Sequence, residues 1–235
     1  MTFVQNPLTS EEEKEVDLIE DFHEEFPEPE GRHRYMARML IGEYEKNSRL
    51  RVLEVGCGYG AILRFVRDKG FRYEALELSP WRVKMLEEAG YPVARMTLRE
   101  YSRKYQDRKF DVIIIDNVLE HIVGPKKIME EAMALLAPEG KIIISVPGLY
   151  DVRRWLVPGW ARKYLWQPKR HVNFFCSRTL ASMLSPMGLQ GGSFPLLFPR
   201  SADARQFILF LEIIFDRFLP EPLFGLYRIF AKASG

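Results

Sequence analysis

A cluster of glycines is the feature of the sequence with the clearest chemical meaning. Residues 54–60 have the sequence E-V-G-C-G-Y-G, between a run of apolar residues and a segment with helical spacing. Glycines at such a turn let the backbone bend tightly and lie close to a ligand. Dinucleotide-binding loops have the pattern G-x-G-x-x-G or G-x-G-x-x-A, and Ala61 completes the second form. The loop therefore indicates nucleotide binding but leaves the class of cofactor open.

A single acid follows the second apolar run. Glu77 comes 21 residues after Gly56, at the predicted carboxyl end of a strand. A carboxylate there can accept hydrogen bonds from both hydroxyls of an adenosine ribose. Because several classes of nucleotide cofactor carry that ribose, Glu77 does not separate them.

Two histidines are candidates for proton transfer, since the ordinary pKa of histidine suits a general base near neutral pH. His121 is predicted just beyond the fourth strand, at the sheet edge where ligands bind in such folds. His171 is the second candidate. Structural roles remain open for both: His121 as a brace of its loop through Glu120, and His171 as an anchor of the segment around it. We expect no metal ligands.

Short β-branched runs alternate with helical patterns through residues 50–146, and this alternation predicts a parallel sheet connected by helices. The predicted strands are residues 50–55, 73–78, 92–94, 110–115, 141–146 and 226–231. The predicted helices are residues 31–46, 61–69, 80–89, 98–106, 125–137, 177–187 and 204–218. The run 110–115 is almost wholly apolar, so we expect both of its faces to be covered.

The composition excludes several classes of protein. Of the 235 residues, 47% are hydrophobic and 28% are charged, and the formal net charge is +2, as in ordinary soluble globular proteins. The two cysteines, Cys57 and Cys176, are too few for a disulfide scaffold and favour a reducing, cytoplasmic setting. We expect neither a secretory signal nor a membrane-spanning run.

The charge is distributed unevenly along the chain. Residues 1–30 carry eleven acids and one lysine, a local charge of −10, which leaves +12 on residues 31–235. This contrast predicts an acidic N-terminal arm over residues 1–30, followed by a single domain over residues 31–235.

Basic and aromatic residues are concentrated after the predicted fifth strand. We expect a lid at about residues 148–175 that binds an anionic or aromatic substrate by charge and by stacking. Its candidate residues are Arg153, Arg154, Trp155 and Trp160. Tryptophan beside lysine and arginine also suits a lipid–water interface, whereas no RNA-binding motif accompanies these residues. Packing of the tryptophans in the core is the structural alternative.

Further motifs separate the classes of cofactor. The sequences F-D-V at residues 110–112, L-E-H at residues 119–121 and L-L-x-P-x-G at residues 135–140 follow the glycine loop and Glu77 in order. Together they resemble class I S-adenosylmethionine-dependent methyltransferases, most closely the branch that includes ubiquinone-biosynthesis O-methyltransferases. The resemblance covers residues 48–147 and continues more weakly to residue 189.

The resemblance implies a Rossmann-like α/β fold: a seven-stranded, mostly parallel sheet with helices on both faces and an antiparallel last strand. It also implies S-adenosylmethionine as the cofactor. The implied cofactor-binding residues are Glu54, Gly56, Cys57, Gly58, Gly60, Glu77, Leu78, Met96, Thr97 and Asn117. Glu77 would hold the ribose and Asn117 would face the sulfonium. Many relatives carry an acid for the adenine amino group where this chain has Met96 and Thr97, so the adenine contacts depart from the family pattern.

The sequence therefore predicts a methyltransferase that acts at oxygen on a small-molecule or lipid-linked acceptor. The expected location is the cytoplasm or the periphery of a membrane, and nucleic acid is not an expected partner. Two alternatives remain. One is a non-catalytic module that only binds the cofactor, and the other is a nicotinamide-dependent oxidoreductase, which the motifs after the glycine loop disfavour.

Overall fold

The computed structural model describes residues 31–149, 159, 171–193 and 226–232. Several predictions lie outside these residues. They concern the acidic arm 1–30, the helix 204–218 and the proposed lid residues Arg153, Arg154, Trp155 and Trp160.

Helices and strands alternate through most of the described chain. The helices are α1 Gly31–Lys46, α2 Ala61–Val66, α3 Pro80–Glu88, α4 Leu98–Lys104, α5 Pro125–Leu135 and α6 Ser177–Leu184. The strands are β1 Arg51–Val55, β2 Arg72–Leu76, β3 Val93–Ala94, β4 Phe110–Asp116, β5 Leu136–Val146, β6 Leu189–Ser193 and β7 Leu226–Lys232. Short 3₁₀ turns occur at Arg67–Lys69, Leu119–His121 and Ser185–Met187.

The strands form a sheet in the order β3-β2-β1-β4-β5-β7-β6. Strand β2 pairs in parallel with both β1 and β3, with Arg51 opposite Arg72 and Ala75 opposite Val93. Strand β7 pairs antiparallel with β5 and β6. Helices connect the parallel strands, which confirms the predicted α/β class with a parallel sheet.

The chain divides into two compact units. The first contains the described residues up to 114 together with residues 123–137, and the second contains residues 115–122 and the described residues from 138 onward. Large side chains are fully buried in the first unit, among them Leu53, Ile62, Leu86, Leu98, Tyr101 and Phe110. In the second unit the buried apolar side chains include Ile115, Leu119, Ile142, Ile144, Leu180 and Leu184. Burial of each such side chain contributes about 1.5–3 kcal/mol to folding.

Capping residues mark the ends of several helices. The Ser79 Oγ accepts a hydrogen bond from the Arg82 N–H at 3.3 Å, and Pro80 is the first residue of α3. Gly70, Gly90 and Gly188 adopt the left-handed conformation that glycine allows at a helix C-terminus.

Several predicted boundaries are wrong, and proline explains two of them. Strand β5 begins at Leu136 rather than residue 141, because Pro138 cannot continue a helix and biases the residue before it toward an extended conformation. The helix from Ser177 ends at Leu184 instead of residue 187, and the three residues around Pro186 form a 3₁₀ turn. Residues 67–69 likewise form a 3₁₀ turn rather than the end of α2.

No helix in the described ranges combines the length and the apolar character that crossing a bilayer requires.

Candidate functional site

The glycine loop between β1 and α2 belongs to the first unit. Gly56, Gly58 and Gly60 have φ angles of 68°, 56° and 65°, in the left-handed region that other residues rarely adopt. A Cβ atom on Gly60 would lie 2.7 Å from the Leu86 Cδ2, whereas a Cβ on Gly58 would meet no atom within 4 Å. A Cβ at position 60 would therefore require the buried Leu86 side chain to shift. At Gly58 the backbone is left open to approach by a ligand.

Glu77 fixes the glycine loop against the residues that follow β2. Its Oε2 accepts the Gly58 N–H at 2.8 Å, and its Oε1 accepts the N–H groups of Leu78 and Ser79 at 3.0 and 2.9 Å. The Arg82 guanidinium lies 3.6 Å from Oε1. A buried carboxylate needs such partners because burial removes it from water.

The same contacts explain why β2 ends at Leu76 and not at the predicted residue 78. The Glu77 side chain accepts the N–H groups of Leu78 and Ser79, which a continuing strand would use for pairing. The predicted carboxylate therefore lies just beyond the carboxyl end of β2, facing the glycine loop. Its contact with ribose stays a prediction.

Glu54 is buried at the end of β1. The Tyr73 hydroxyl donates a hydrogen bond of 2.7 Å to the Glu54 Oε2, so an aromatic residue of β2 holds this acid. The arrangement ties β1 to β2 directly before the loop begins, and the predicted contact of Glu54 with the cofactor stays a prediction.

Cys57 is a buried thiol within the loop. Its backbone N–H donates to the Leu76 carbonyl at 2.9 Å. Burial raises the pKa of the Cys57 thiol well above its ordinary value, and the nearby carboxylates of Glu54 and Glu77 raise it further. The thiol therefore remains protonated, and Cys57 contributes backbone geometry to the loop rather than a reactive sulfur.

The residues predicted near the adenine follow β3. The Thr97 hydroxyl accepts the Glu100 N–H at 3.1 Å and donates to the Glu100 carboxylate at 3.0 Å, in the capping box of α4. Capping therefore uses the hydroxyl proton and one of the two acceptor positions of the Thr97 oxygen, and the contact of Thr97 with adenine stays a prediction. The Met96 N–H donates to the Ala94 carbonyl at 3.1 Å.

Two arginines near the loop were missed by the sequence analysis. The Arg82 guanidinium lies 5.1 Å from the centre of the Tyr59 ring, in cation–π range. The Arg95 Nε donates to the Leu78 carbonyl at 3.1 Å, so its side chain covers the backbone of a predicted adenine contact. Nothing in the spacing distinguishes these arginines from solvated ones.

A second polar group lies at the end of β4, within the second unit. Asn117 has a φ of 51° and is the non-glycine residue with positive φ in the described part of the chain. Its N–H donates to the Ser145 carbonyl at 2.9 Å, and the Ser145 hydroxyl donates to the Asp116 carboxylate. Strained backbone of this kind persists where the surroundings hold it, often at binding sites. Asp116 and Ser145 were not predicted as site residues.

The two predicted histidines meet in this second unit. The rings of His121 and His171 are 4.9 Å apart, centre to centre, in an edge-to-face arrangement with 70° between their planes. The His121 Nε2 lies 3.9 Å from the Glu120 Oε1. His171 and Glu120 are buried, and His121 is half-buried. Residues separated by 50 positions in sequence therefore form one cluster, the Glu120–His121–His171 cluster.

Backbone hydrogen bonds hold the two parts of this cluster together. The Glu120 carbonyl accepts the N–H groups of Val172 and Asn173 at 2.8 and 3.0 Å. The Asn173 side-chain amide donates to the carbonyls of Leu119 and Ile122 at 3.0 and 2.6 Å. These four hydrogen bonds fix residues 171–173 against the turn Leu119–His121, and they make the position of His171 a property of the fold.

Comparisons with known proteins give the same family as the motifs. Residues 21–191 match a family model described as a methyltransferase domain. A ubiquinone biosynthesis O-methyltransferase of Idiomarina loihiensis is 27% identical over 150 residues, 60% of this chain and 61% of the relative. Its counterpart in Xanthomonas euvesicatoria is 33% identical over 100 residues, 40% of this chain and 42% of the relative. The chain thus matches about two-fifths to three-fifths of the length of these relatives.

Solved structures share the fold. A SAM-dependent methyltransferase from Archaeoglobus fulgidus superposes with a TM-score of 0.57 at 18% identity, over 85% of this chain and 94% of that one. The 1,6-didemethyltoxoflavin-N1-methyltransferase of Burkholderia thailandensis, solved with 1,6-didemethyltoxoflavin and S-adenosylhomocysteine, gives 0.60 at 19% identity, over 98% and 94% of the two chains. Likeness at these identities establishes the Rossmann-like architecture.

Proposed function

The chain belongs to the methyltransferase-domain family, whose model matches residues 21–191 of it, and we propose that it is an S-adenosylmethionine-dependent methyltransferase. The observation that carries this proposal is the glycine loop held by Glu77. Gly58 presents open backbone in a left-handed conformation, and a buried carboxylate lies directly against it. The bound S-adenosylhomocysteine of a solved neighbour supports the choice of cofactor.

The residues of the first unit fit such a cofactor by their donor and acceptor chemistry. Gly56, Gly58 and Gly60 would lie along the methionine part, and Glu77 would accept the ribose hydroxyls. A carboxylate has about four acceptor positions, so ribose hydroxyls would add to or replace the backbone donors that Glu77 now binds. Leu78 and Met96 would lie against the adenine.

S-adenosylmethionine supplies a methyl group that its sulfonium has already activated. The protein aligns the acceptor with that methyl group and assists the loss of the acceptor proton. In the proposed reaction the acceptor oxygen would take the methyl group, S-adenosylhomocysteine would leave, and the hydroxyl proton would pass to a histidine or to water. We assign assistance of the proton loss to the cluster that contains His121 and His171.

We propose a small-molecule or lipid-linked acceptor that reacts at oxygen. Two relatives are named O-methyltransferases, which supports an oxygen atom as the methyl acceptor. One structural neighbour is named an N1-methyltransferase, so a nitrogen atom is the alternative acceptor. Acceptor binding by Arg153, Arg154, Trp155 and Trp160 remains part of this proposal, as does a cytoplasmic or membrane-peripheral setting, which the two free cysteines suit.

The test is acceptor-dependent release of S-adenosylhomocysteine by the full chain. A panel would contain catechols, phenols with and without a carboxylate, an isoprenoid-substituted phenol and matched amines. We expect turnover with at least one hydroxylated member and a product that carries one additional methyl group on oxygen.

His121→Ala tests the cluster's part in this reaction, with His33→Ala as its control. We expect His121→Ala to lower turnover about 100-fold or more while cofactor affinity stays within about twofold. Cofactor binding with no product from any acceptor would instead favour the non-catalytic module. Binding of NAD in place of S-adenosylmethionine would overturn the proposal.

A further inference from the structure

Three side chains of the second unit combine the donor atoms of a metal site. One ligand atom from each of Glu120, His121 and His171 can be chosen so that all three lie within 4.8 Å of one another. Two imidazoles and one carboxylate are the set that binds divalent iron and related metals in facial triads, with coordination positions left for substrate. Two of the three residues are buried, which distinguishes the cluster from solvent-facing acids that meet by chance.

We propose that the Glu120–His121–His171 cluster is a binding site for a first-row divalent transition cation. Metal–nitrogen and metal–oxygen bonds of about 2.0–2.2 Å place neighbouring ligand atoms about 3.0–3.4 Å apart. The ligand atoms lie within 4.8 Å of one another, so the distances between them need to shorten by at most about 1.8 Å.

Hydrogen bonds hold together the two chain segments that carry the three proposed ligands. His171 is adjacent to Val172 and Asn173, whose N–H groups donate to the Glu120 carbonyl. The Asn173 amide also spans the turn from Leu119 to Ile122 through two carbonyls. Ligands are therefore supplied by two chain segments that hydrogen bonds already hold together, and less ordering remains to oppose cation binding.

The donor set selects the class of cation. Imidazole nitrogens suit zinc, iron, cobalt and nickel, whereas magnesium and calcium prefer sites made of oxygen alone. With three protein ligands, a four- to six-coordinate cation keeps at least one position open. We therefore expect micromolar or tighter binding of Co²⁺ and Zn²⁺ and much weaker binding of Mg²⁺.

The chemical use of this cation rests on the proposed methyl transfer. An acceptor hydroxyl bound at the open position would have a lowered pKa and would lose its proton to water. Its oxygen would then take the methyl group of S-adenosylmethionine, which would leave as S-adenosylhomocysteine. An imidazole nitrogen that binds a cation has no lone pair left to accept a proton. Metal binding and the general-base role of His121 therefore exclude each other at that nitrogen.

The test is a titration of the full chain, without a histidine tag and after treatment with a chelator. Co²⁺ is added while the visible absorption of the protein-bound ion is recorded, and Zn²⁺ and Mg²⁺ are titrated by calorimetry. We expect one equivalent of Co²⁺ to bind, to be displaced by Zn²⁺, and to raise the melting temperature. Absence of any bound Co²⁺ or Zn²⁺ in the folded wild-type chain would overturn the site.

Substitutions then locate the bound cation. Glu120→Gln, His121→Ala and His171→Ala should each weaken Co²⁺ binding by more than about 100-fold, beyond the about 10- to 100-fold effect of losing an outer contact. Glu88→Gln and His33→Ala are the matched controls and should bind Co²⁺ as the wild type does. Binding that survives all three ligand substitutions would place the cation elsewhere and refute the assignment.

These experiments distinguish a failure of the metal-site proposal from a failure of the methyltransferase proposal. Cation binding without turnover keeps the metal site and counts against the methyltransferase proposal. Full turnover in the chelated protein, with no cation bound, refutes the metal site and leaves the methyltransferase proposal intact.

Discussion

The glycine loop and the Glu120–His121–His171 cluster place their polar groups by different physical means. In the loop, one carboxylate gathers three backbone N–H donors, all from residues near the ends of β1 and β2. In the cluster, backbone and amide hydrogen bonds bring together side chains that are 50 residues apart. The loop thus depends on single residues with special conformations, and the cluster depends on the pairing of two distant segments.

This difference separates the expected effects of mutation. A substitution in the loop should change local geometry and cofactor affinity together, because the residues that shape the backbone are also the proposed cofactor-binding residues. A substitution in residues 171–173 should displace one part of the cluster without altering the loop. The following experiments test that contrast, from the largest expected effect to the smallest.

Removal of the Glu77 carboxylate should have the largest effect. Glu77→Ala leaves the N–H groups of Gly58, Leu78 and Ser79 without their acceptor. We expect a loss of about 3 kcal/mol in the free energy of unfolding in urea, together with loss of cofactor binding. Glu88→Ala, at an exposed position of α3, is the control and should change stability by less than about 0.5 kcal/mol. Equal stabilities of the two variants would show that Glu77 does not hold the loop.

Gly60→Ala should destabilise the protein more than Gly58→Ala, although the two residues share a left-handed conformation. Both changes introduce backbone strain of about 1–2 kcal/mol. At position 60 the added Cβ also meets the buried Leu86 side chain, at a further cost of about 1–3 kcal/mol.

A double-mutant cycle with Leu86→Ala checks the origin of that difference. Urea unfolding of the single and double variants should show favourable coupling between the Gly60 and Leu86 substitutions, because the shortened side chain makes room for the new Cβ. Additive effects would show that the clash with Leu86 is not the cause.

Asn173→Ala should affect the cluster alone. It removes two hydrogen bonds to the carbonyls of Leu119 and Ile122, so we expect a loss of about 1–2 kcal/mol in the free energy of unfolding. Co²⁺ affinity should fall about 10- to 100-fold while affinity for S-adenosylmethionine is unchanged. Asn47→Ala, which removes a local turn contact to the Arg49 N–H, is the matched control. A parallel loss of cofactor affinity would contradict the independence of the two regions.

The Cys57 thiol should give a smaller, pH-dependent effect. Its raised pKa means that the folded chain keeps the thiol proton above about pH 8.5, where an unfolded chain loses it. Stability should therefore fall as pH rises above that value, by up to about 1.4 kcal/mol per pH unit. Unfolding curves at pH 8, 9 and 10 should show this slope in Cys176→Ala and a shallower one in Cys57→Ala. Identical pH slopes in the two variants would show that the Cys57 thiol is not the cause of the fall in stability.

The same contrast explains how much could be predicted from the sequence. The glycine loop directly follows one predicted strand and Glu77 lies at the end of the next, so glycine spacing and an acid at a strand end were enough to place them. The end of β2 could not be placed, because the Glu77 side chain competes with strand pairing through contacts that spacing does not reveal.

The cluster was predicted only in part. His121 and His171 were named as separate proton-transfer candidates, and metal ligands were not expected. Their meeting depends on Asn173 and on the Glu120 carbonyl, and no local pattern near residue 121 indicates a partner 50 residues away. Asp116 and Ser145 were missed for the same reason, since their contact joins two strands.

Calorimetric titration of the full chain with S-adenosylmethionine, S-adenosylhomocysteine and NAD tests the central claim most directly. The wild type and Gly188→Ala, a control glycine with positive φ and equally open surroundings, should bind both S-adenosyl compounds and not NAD. Gly58→Ala should bind the S-adenosyl compounds at least about 10-fold more weakly, because its Cβ would lie where we propose that the cofactor approaches the backbone. Preferential binding of NAD, or unaltered S-adenosylmethionine affinity in Gly58→Ala, would contradict the account.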